Sequence, residues 1–185
     1  MRRIVTVLVA LAFAAGVQAA EVGGIKLDDK VSVGGQELVL NGAGIRTKAI
    51  FKVYVASLYV PAKATTPAAV LDKGPRRIQM NLLRDLTPDQ LVDALVDGLK
   101  DNNSASELAA IKAQTDQMVS IMKSFGAVKE GNVVALDFVD GGTRISLNGT
   151  VKGTIPGDAF NKALTKVWLG DNPVQGDLKK AMLGG

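Results

Sequence analysis

Apolar and polar positions alternate with a period of two in short runs, and with a period near 3.6 in longer ones, so the chain predicts both strands and amphipathic helices. Val31-Ser32-Val33 and Gln36-Glu37-Leu38-Val39-Leu40 flank Gly34-Gly35. A Gly-Gly pair accepts the positive φ angles of a two-residue turn, so this segment predicts a hairpin. Phe51 to Val60 is rich in β-branched and aromatic residues and predicts a strand that Pro61 stops. Thr66 to Leu71, with Pro67 at its first position, predicts a helical turn, and Arg77 to Leu83 a further strand.

The period then changes. Thr87-Pro88-Asp89-Gln90 has the form of a capping box with proline at the first helical position, followed by a stripe of Leu91, Val92, Leu95, Val96 and Leu99. Asn102-Asn103 ends that helix. Ser104-Ala105-Ser106-Glu107 opens another, expected to run unbroken through Leu108, Ile111, Thr115, Met118, Met122 and Phe125 to a stop at Gly126. The pair reads as an αα-hairpin laid on a sheet. Asn132 to Val139, Thr143 to Leu147 and Thr150 to Ile155 predict three strands, joined at Asp140-Gly141-Gly142 and Asn148-Gly149. Phe160, Ala163, Leu164, Val167 and Trp168 mark a helix ending at Gly170, and Asp177 to Leu183 a short last one. Strands joined by hairpins, then helices, then strands and helices again, make an α+β domain with an antiparallel sheet. Met118, Met122, Phe125, Leu91, Leu95, Phe160, Leu164 and Trp168 fall on helix faces directed at that sheet, and their first reading is ordinary core.

The N-terminus changes the picture of where the protein works. Met1-Arg2-Arg3, an apolar run from Ile4 to Val17, and Val17-Gln18-Ala19-Ala20 have the form of a Sec-type signal peptide over residues 1–19. Residues 20–185 are then expected to form one domain, located in the periplasm. The apolar run is shorter than the roughly 20 residues of a membrane span, and no other segment is long enough to cross. Formal net charge is +4 with 22 basic and 18 acidic residues, and Arg2 and Arg3 supply part of that excess. Basic residues are scattered without interleaved aromatics, so nucleic acid is not an expected partner.

The chain contains no cysteine and no histidine. An exported chain without cysteine has no disulfide framework, and its length suffices for one hydrophobic core. The same two absences remove the usual zinc ligands, every Ser-His or Cys-His pair and the commonest general base. Catalysis would have to come from Arg, Lys, Tyr, Asp, Glu or oriented water; neither a metal nor a cofactor is expected. Gly42-Ala43-Gly44 is not a dinucleotide fingerprint, because Thr47 holds the third glycine position and a strand rather than a helix follows. The sequons at Asn102 and Asn148 read as a helix cap and a turn.

The candidate chemistry lies between Leu40 and Val60. Gly42-Ala43-Gly44-Ile45-Arg46, a short spacer, then Phe51-Lys52-Val53-Tyr54-Val55-Ala56-Ser57-Leu58-Tyr59-Val60 set one arginine and two tyrosines in sheet-forming surroundings. A guanidinium held there would seek an anion. Parity puts Tyr54 and Tyr59 on opposite faces of one strand. This order of residues resembles the chalcone isomerase family, particularly its bacterial periplasmic branch and its plant fatty-acid-binding members. The resemblance implies a large antiparallel sheet with helices on one face. It also implies that Arg46 sits in a ligand cleft, facing an enolate in isomerases or a carboxylate in fatty-acid binders. Tyr54 falls where the plant isomerases carry a catalytic threonine and the fatty-acid binders a tyrosine. Leu91, Gly98 and Val167 fall where plant isomerases carry polar participants. On this resemblance the chain is expected to bind a small amphipathic anion such as a fatty acid, with Arg46 and Tyr54 as ligand-binding residues. The alternatives are an isomerase or intramolecular lyase, with Arg46 as its catalytic residue, and a non-catalytic interaction protein.

Overall fold

A computed structural model describes residues 20–71 and 74–185; the expected signal peptide lies outside the described residues. Seven antiparallel strands form one sheet in chain order: β3 (Lys30–Val33), β4 (Gln36–Lys48), β5 (Phe51–Val60), β6 (Arg76–Leu82), β7 (Val133–Val139), β8 (Gly142–Leu147) and β9 (Thr150–Pro156). Before it, β1 (Ala20–Val22) and β2 (Ile25–Leu27) pair as a separate small hairpin that the alternation pattern does not reveal. The helices are α1 (Pro67–Leu71), α2 (Pro88–Asn102), α3 (Ala105–Ala110), α4 (Lys112–Ser124), α5 (Asp158–Leu169) and α6 (Gly176–Met182). This is the expected α+β arrangement.

Capping sets the helix starts. Thr87 accepts from the Gln90 backbone N–H while the Gln90 side chain accepts from the Thr87 N–H, and Ser104 and Glu107 repeat the exchange. The helix expected to run from Ser104 to Phe125 is instead two, because Ile111 leaves the helical region at φ −106° and ψ 12°. Its apolar stripe nevertheless keeps its phase, with Ile111, Met118 and Met122 all buried.

The sheet has two unlike faces. On β5, Ala56, Leu58 and Val60 point into the main core with the helices, while Val55 and Tyr59 point into a second cluster with Leu27, Val33, Leu38 and Leu40 beneath the β1–β2 hairpin. The outer face also carries Asp137, held bidentately by Arg77 and joined by Arg144 at 2.8 Å. On the helical face, Arg76 is 4% exposed and lies over the Phe138 ring at 4.6 Å.

β4 is longer than its apolar pattern suggests, extending past Leu40 to Lys48. Its register against β5 shifts between Leu40 and Gly42, so Asn41 is an extra, bulged residue. Leu38 and Leu40 face the outer cluster before the bulge; afterwards Ala43 and Ile45 face it. A strand keeps its faces by parity, so the one added residue transfers Gly42, Gly44 and Arg46 to the helical side. Asn41 is 4% exposed and anchors the bulge. Its Nδ2 donates to Ala64 O and Met182 O, each at 2.8 Å, and its Oδ1 accepts from Ala64 N at 2.7 Å. The glycines beyond it let α6 approach: a Cβ on Gly42 would lie 2.1 Å from Ala181 O.

Candidate functional site

Past the bulge, Arg46 stands directly opposite Tyr54 on the helical face. Both line a cavity of about 600 Å³ between the sheet and the helices. Its walls are mainly apolar: Val53, Met80, Leu82, Val134 and Leu136 from the sheet, and Leu91, Leu95, Met118, Met122, Phe125, Val167 and Trp168 from the helices. The volume falls within the ~300–1,000 Å³ usual for small-molecule pockets. The first reading of the helical stripes as core holds, but part of those stripes also lines the cavity. Phe160 and Leu164 are fully buried core, but Leu91, Leu95, Met118, Met122, Phe125 and Trp168 also face the cavity. Periodicity reports only that a side chain faces the sheet, not whether the space between is filled.

Arg46 has no carboxylate within ion-pair distance among the described residues. Its Nη1 donates to Thr47 O and, at 3.3 Å, to Gln175 Oε1. Nε and Nη2 donate to no protein acceptor among the described residues, which leaves the two-pronged edge of the guanidinium available to an anion. Gln175 is the residue that the sequence does not reveal. It immediately precedes α6, its Oε1 also accepts from Thr47 N at 2.8 Å, and its Nε2 donates to Ile45 O at 3.3 Å. One amide thus grips the strand on both sides of Arg46, where the β4–β5 register shifts a second time. A glutamine before Gly176-Asp177 is an ordinary helix-start composition, so no local signal marks this role.

Tyr54 is oriented by Trp168, whose Nε1 donates to the phenol oxygen at 3.1 Å. Because the oxygen accepts that bond, its own hydrogen remains to be donated elsewhere. Burial pushes the Tyr54 phenol above its ordinary range, opposed by the Trp168 hydrogen bond and the nearby Arg46 charge. The group is therefore a neutral donor at physiological pH. Tyr59, on the opposite face and fully buried, takes no part.

Leu91, Gly98 and Val167 all line the cavity. None supplies a side-chain hydrogen bond. Gly98 lets α5 pack tightly on α2: a Cβ there would lie 2.7 Å from Val167 Cγ1. Lys48, Arg84, Gln90, Asp97, Asp101 and Asn172 add polar groups to the lining. Among the described residues no cluster of His, Cys, Asp or Glu could hold a metal, and no helix is long and apolar enough to cross a membrane.

A sequence-family model described as chalcone isomerase-like matches residues 19–184. The chain belongs to the chalcone isomerase-like family. Among solved structures, this family member is similar to a fatty-acid binding protein of Arabidopsis thaliana, with a TM-score of 0.66 at 13% identity over 86% of this chain and 92% of that one. At that identity the likeness concerns the fold, and it agrees with the sheet-and-helix architecture described above. No curated protein matches this chalcone isomerase-like chain by sequence.

Proposed function

We propose that this protein is exported and binds a small amphipathic anion, most simply a fatty acid, without efficient isomerase activity. The observation that carries the reading is a mainly apolar cavity whose polar corner pairs a guanidinium with open donors and a phenol with a free hydrogen. A carboxylate accepts two parallel hydrogen bonds from Arg46 and one from Tyr54, and an acyl chain lies along Leu91, Leu95, Met118 and Met122. Two methionines in that wall suit a flexible chain, because thioether side chains adapt to irregular shapes. The fatty-acid binding named for the Arabidopsis protein supports the same choice of ligand. Native mass spectrometry of protein purified from its own cells, followed by calorimetric titration with palmitate, tests the proposal. A co-purifying carboxylic acid and saturable binding are expected; an empty protein that gives no binding heat overturns it. Intact mass of the same material tests export: a chain beginning at or next to Ala20 is expected, and a retained Met1 contradicts it.

The Arg46–Tyr54 corner also favours a second reading. Donors aimed at a developing oxyanion are often the largest catalytic contribution, so an intramolecular lyase acting on an enone would use the same pair. Leu91, Gly98 and Val167 offer no side chain to position a water or a substrate hydroxyl. Chalcone cyclisation is therefore expected to be slow, and fast stereoselective turnover in a stopped-flow assay would favour the enzyme.

A further inference from the structure

The turn joining β4 and β5 differs from the molecule's other hairpin tips. Gly23-Gly24, Gly34-Gly35 and Asn148-Gly149 all take positive φ angles, and Gly141 does so after Asp140. These are the residues that two-residue turns favour. Between Lys48 and Phe51 the chain instead places Ala49 and Ile50, with Ala49 at φ 54°, where an alanine is strained. Ile50 is 86% exposed and Phe51 53%, which leaves two large apolar side chains side by side in solvent. Exposed Lys48 and Lys52 flank them, and the Arg84 guanidinium lies over the Phe51 ring at 4.6 Å. No acidic residue occurs between Glu37 and Asp72. Asp85, next to Arg84, is engaged by Lys129 at 2.8 Å. Lys48, Ala49, Phe51 and Arg84 also line the cavity, so this apolar and cationic tip forms part of its wall.

We infer that the β4–β5 tip docks the protein onto an anionic lipid surface, with Ile50 and Phe51 entering the headgroup region while Lys48, Lys52 and Arg84 meet lipid phosphates. An apolar pair framed by cations matches a bilayer in both respects: the tip has apolar surface to bury, and its charge is complementary to anionic headgroups. Asp97 and Asp101 on α2 also line the cavity, and an anionic surface repels them while it attracts the cationic tip, which favours a tip-first approach. Docked this way, the cavity lies beside the bilayer, and an amphipathic acid can pass between them without crossing bulk water. The inference extends the proposed ligand binding, but its readout does not depend on that reading.

Flotation of protein purified from its own cells with vesicles of phosphatidylglycerol or phosphatidylcholine tests the inference. Attachment is expected to phosphatidylglycerol, to weaken with salt, and to fall about tenfold in Ile50→Ser and about tenfold or more in Lys52→Glu. Neither side chain lines the cavity, so palmitate affinity in vesicle-free solution stays as in the wild type for both variants. Failure of palmitate to bind while vesicle attachment persists would remove the ligand reading and leave the docking inference supported. No attachment to either lipid overturns it, as does attachment indifferent to both substitutions. Sedimentation revealing an Ile50-dependent dimer also overturns it, since the tip would then serve a second copy of the chain.

Discussion

Two arginines on the helical face of the sheet, Arg46 and Arg76, both lack a carboxylate partner among the described residues, yet they stand in opposite conditions. Arg76 spends its donors inside the protein: Nε and Nη2 reach Thr165 Oγ1 at 3.0 and 2.7 Å, and Nη2 reaches Asn161 O at 3.2 Å. Phe138 covers its plane, and burial lowers its pKa to about 10. Arg46 commits one nitrogen, keeps Nε and Nη2 without a protein acceptor among the described residues, and lines a cavity. An arginine without a counter-ion is therefore not in itself the mark of a binding site. What distinguishes the two is whether the donors are already used, a fact of tertiary structure that charge counting in the sequence does not reach.

The comparison breaks most sharply at Arg46. Arg46→Ala is expected to weaken palmitate binding by about 2–4 kcal/mol in calorimetry, and Arg46→Lys to recover only part of that, because an ammonium cannot make the paired hydrogen bonds. Equal affinity in wild type and Arg46→Ala would reduce Arg46 to the structural standing of Arg76.

Arg76→Met should do the reverse, leaving palmitate affinity unchanged and raising stability in urea by about 1–2 kcal/mol, since a desolvated cation with no carboxylate partner among the described residues gives way to apolar packing. The sign of its pH dependence is set by linkage. Above about pH 10 the unfolded chain holds the Arg76 proton more tightly than the folded one, so the wild type gains stability as pH rises past that point. The advantage of Arg76→Met should accordingly be full below about pH 10 and shrink above it; an advantage that grew with pH would contradict the assignment.

Tyr54→Phe sharpens the picture of the corner by a smaller step, about 1 kcal/mol of palmitate affinity, as for one neutral hydrogen bond. The smallest expected change is in the binding profile with pH. Burial raises Tyr54, so its phenol stays neutral between about pH 6 and 9, and affinity should be flat there. Binding should weaken toward acid pH only as the ligand's own carboxyl protonates. A step near pH 7 would mean that a group other than this pair holds the anion.

Much of the architecture is legible in the residues because the relevant signals are local. Both capping boxes, Pro67 at the start of α1, and the Gly-Gly and Asn-Gly turns carry their own instructions. The Arg46–Tyr54 pairing is not legible in the same way: counting from the β4–β5 turn would set Arg46 opposite Val53, and only the second register shift brings it opposite Tyr54. The misses arise where the cause is distant. β4 looks finished at Leu40 because Asn41, Gly42 and Gly44 interrupt the apolar alternation, and their reason, the close approach of α6, lies some 140 residues away in sequence, as in the Asn41–Met182 hydrogen bond. The hairpin of β1 and β2 is too short to display a period. The kink at Ile111 leaves the apolar stripe in phase and so leaves no trace in it. Gln175 and Asn41 act through backbone groups, which no residue pattern encodes.

The bulge at Asn41 has a consequence for inheritance. Because strand faces alternate by count, the side on which Arg46 emerges depends on how many residues precede it as much as on what they are. A substitution at Asn41 that let it pair as an ordinary strand residue would preserve the glycine-and-arginine signature while turning the guanidinium toward the β1–β2 hairpin, away from the cavity. A descendant could thus keep every recognisable letter of the motif and lose the site in one step. Reading frame along the strand, rather than residue identity alone, is what a lineage must retain to keep this cavity charged.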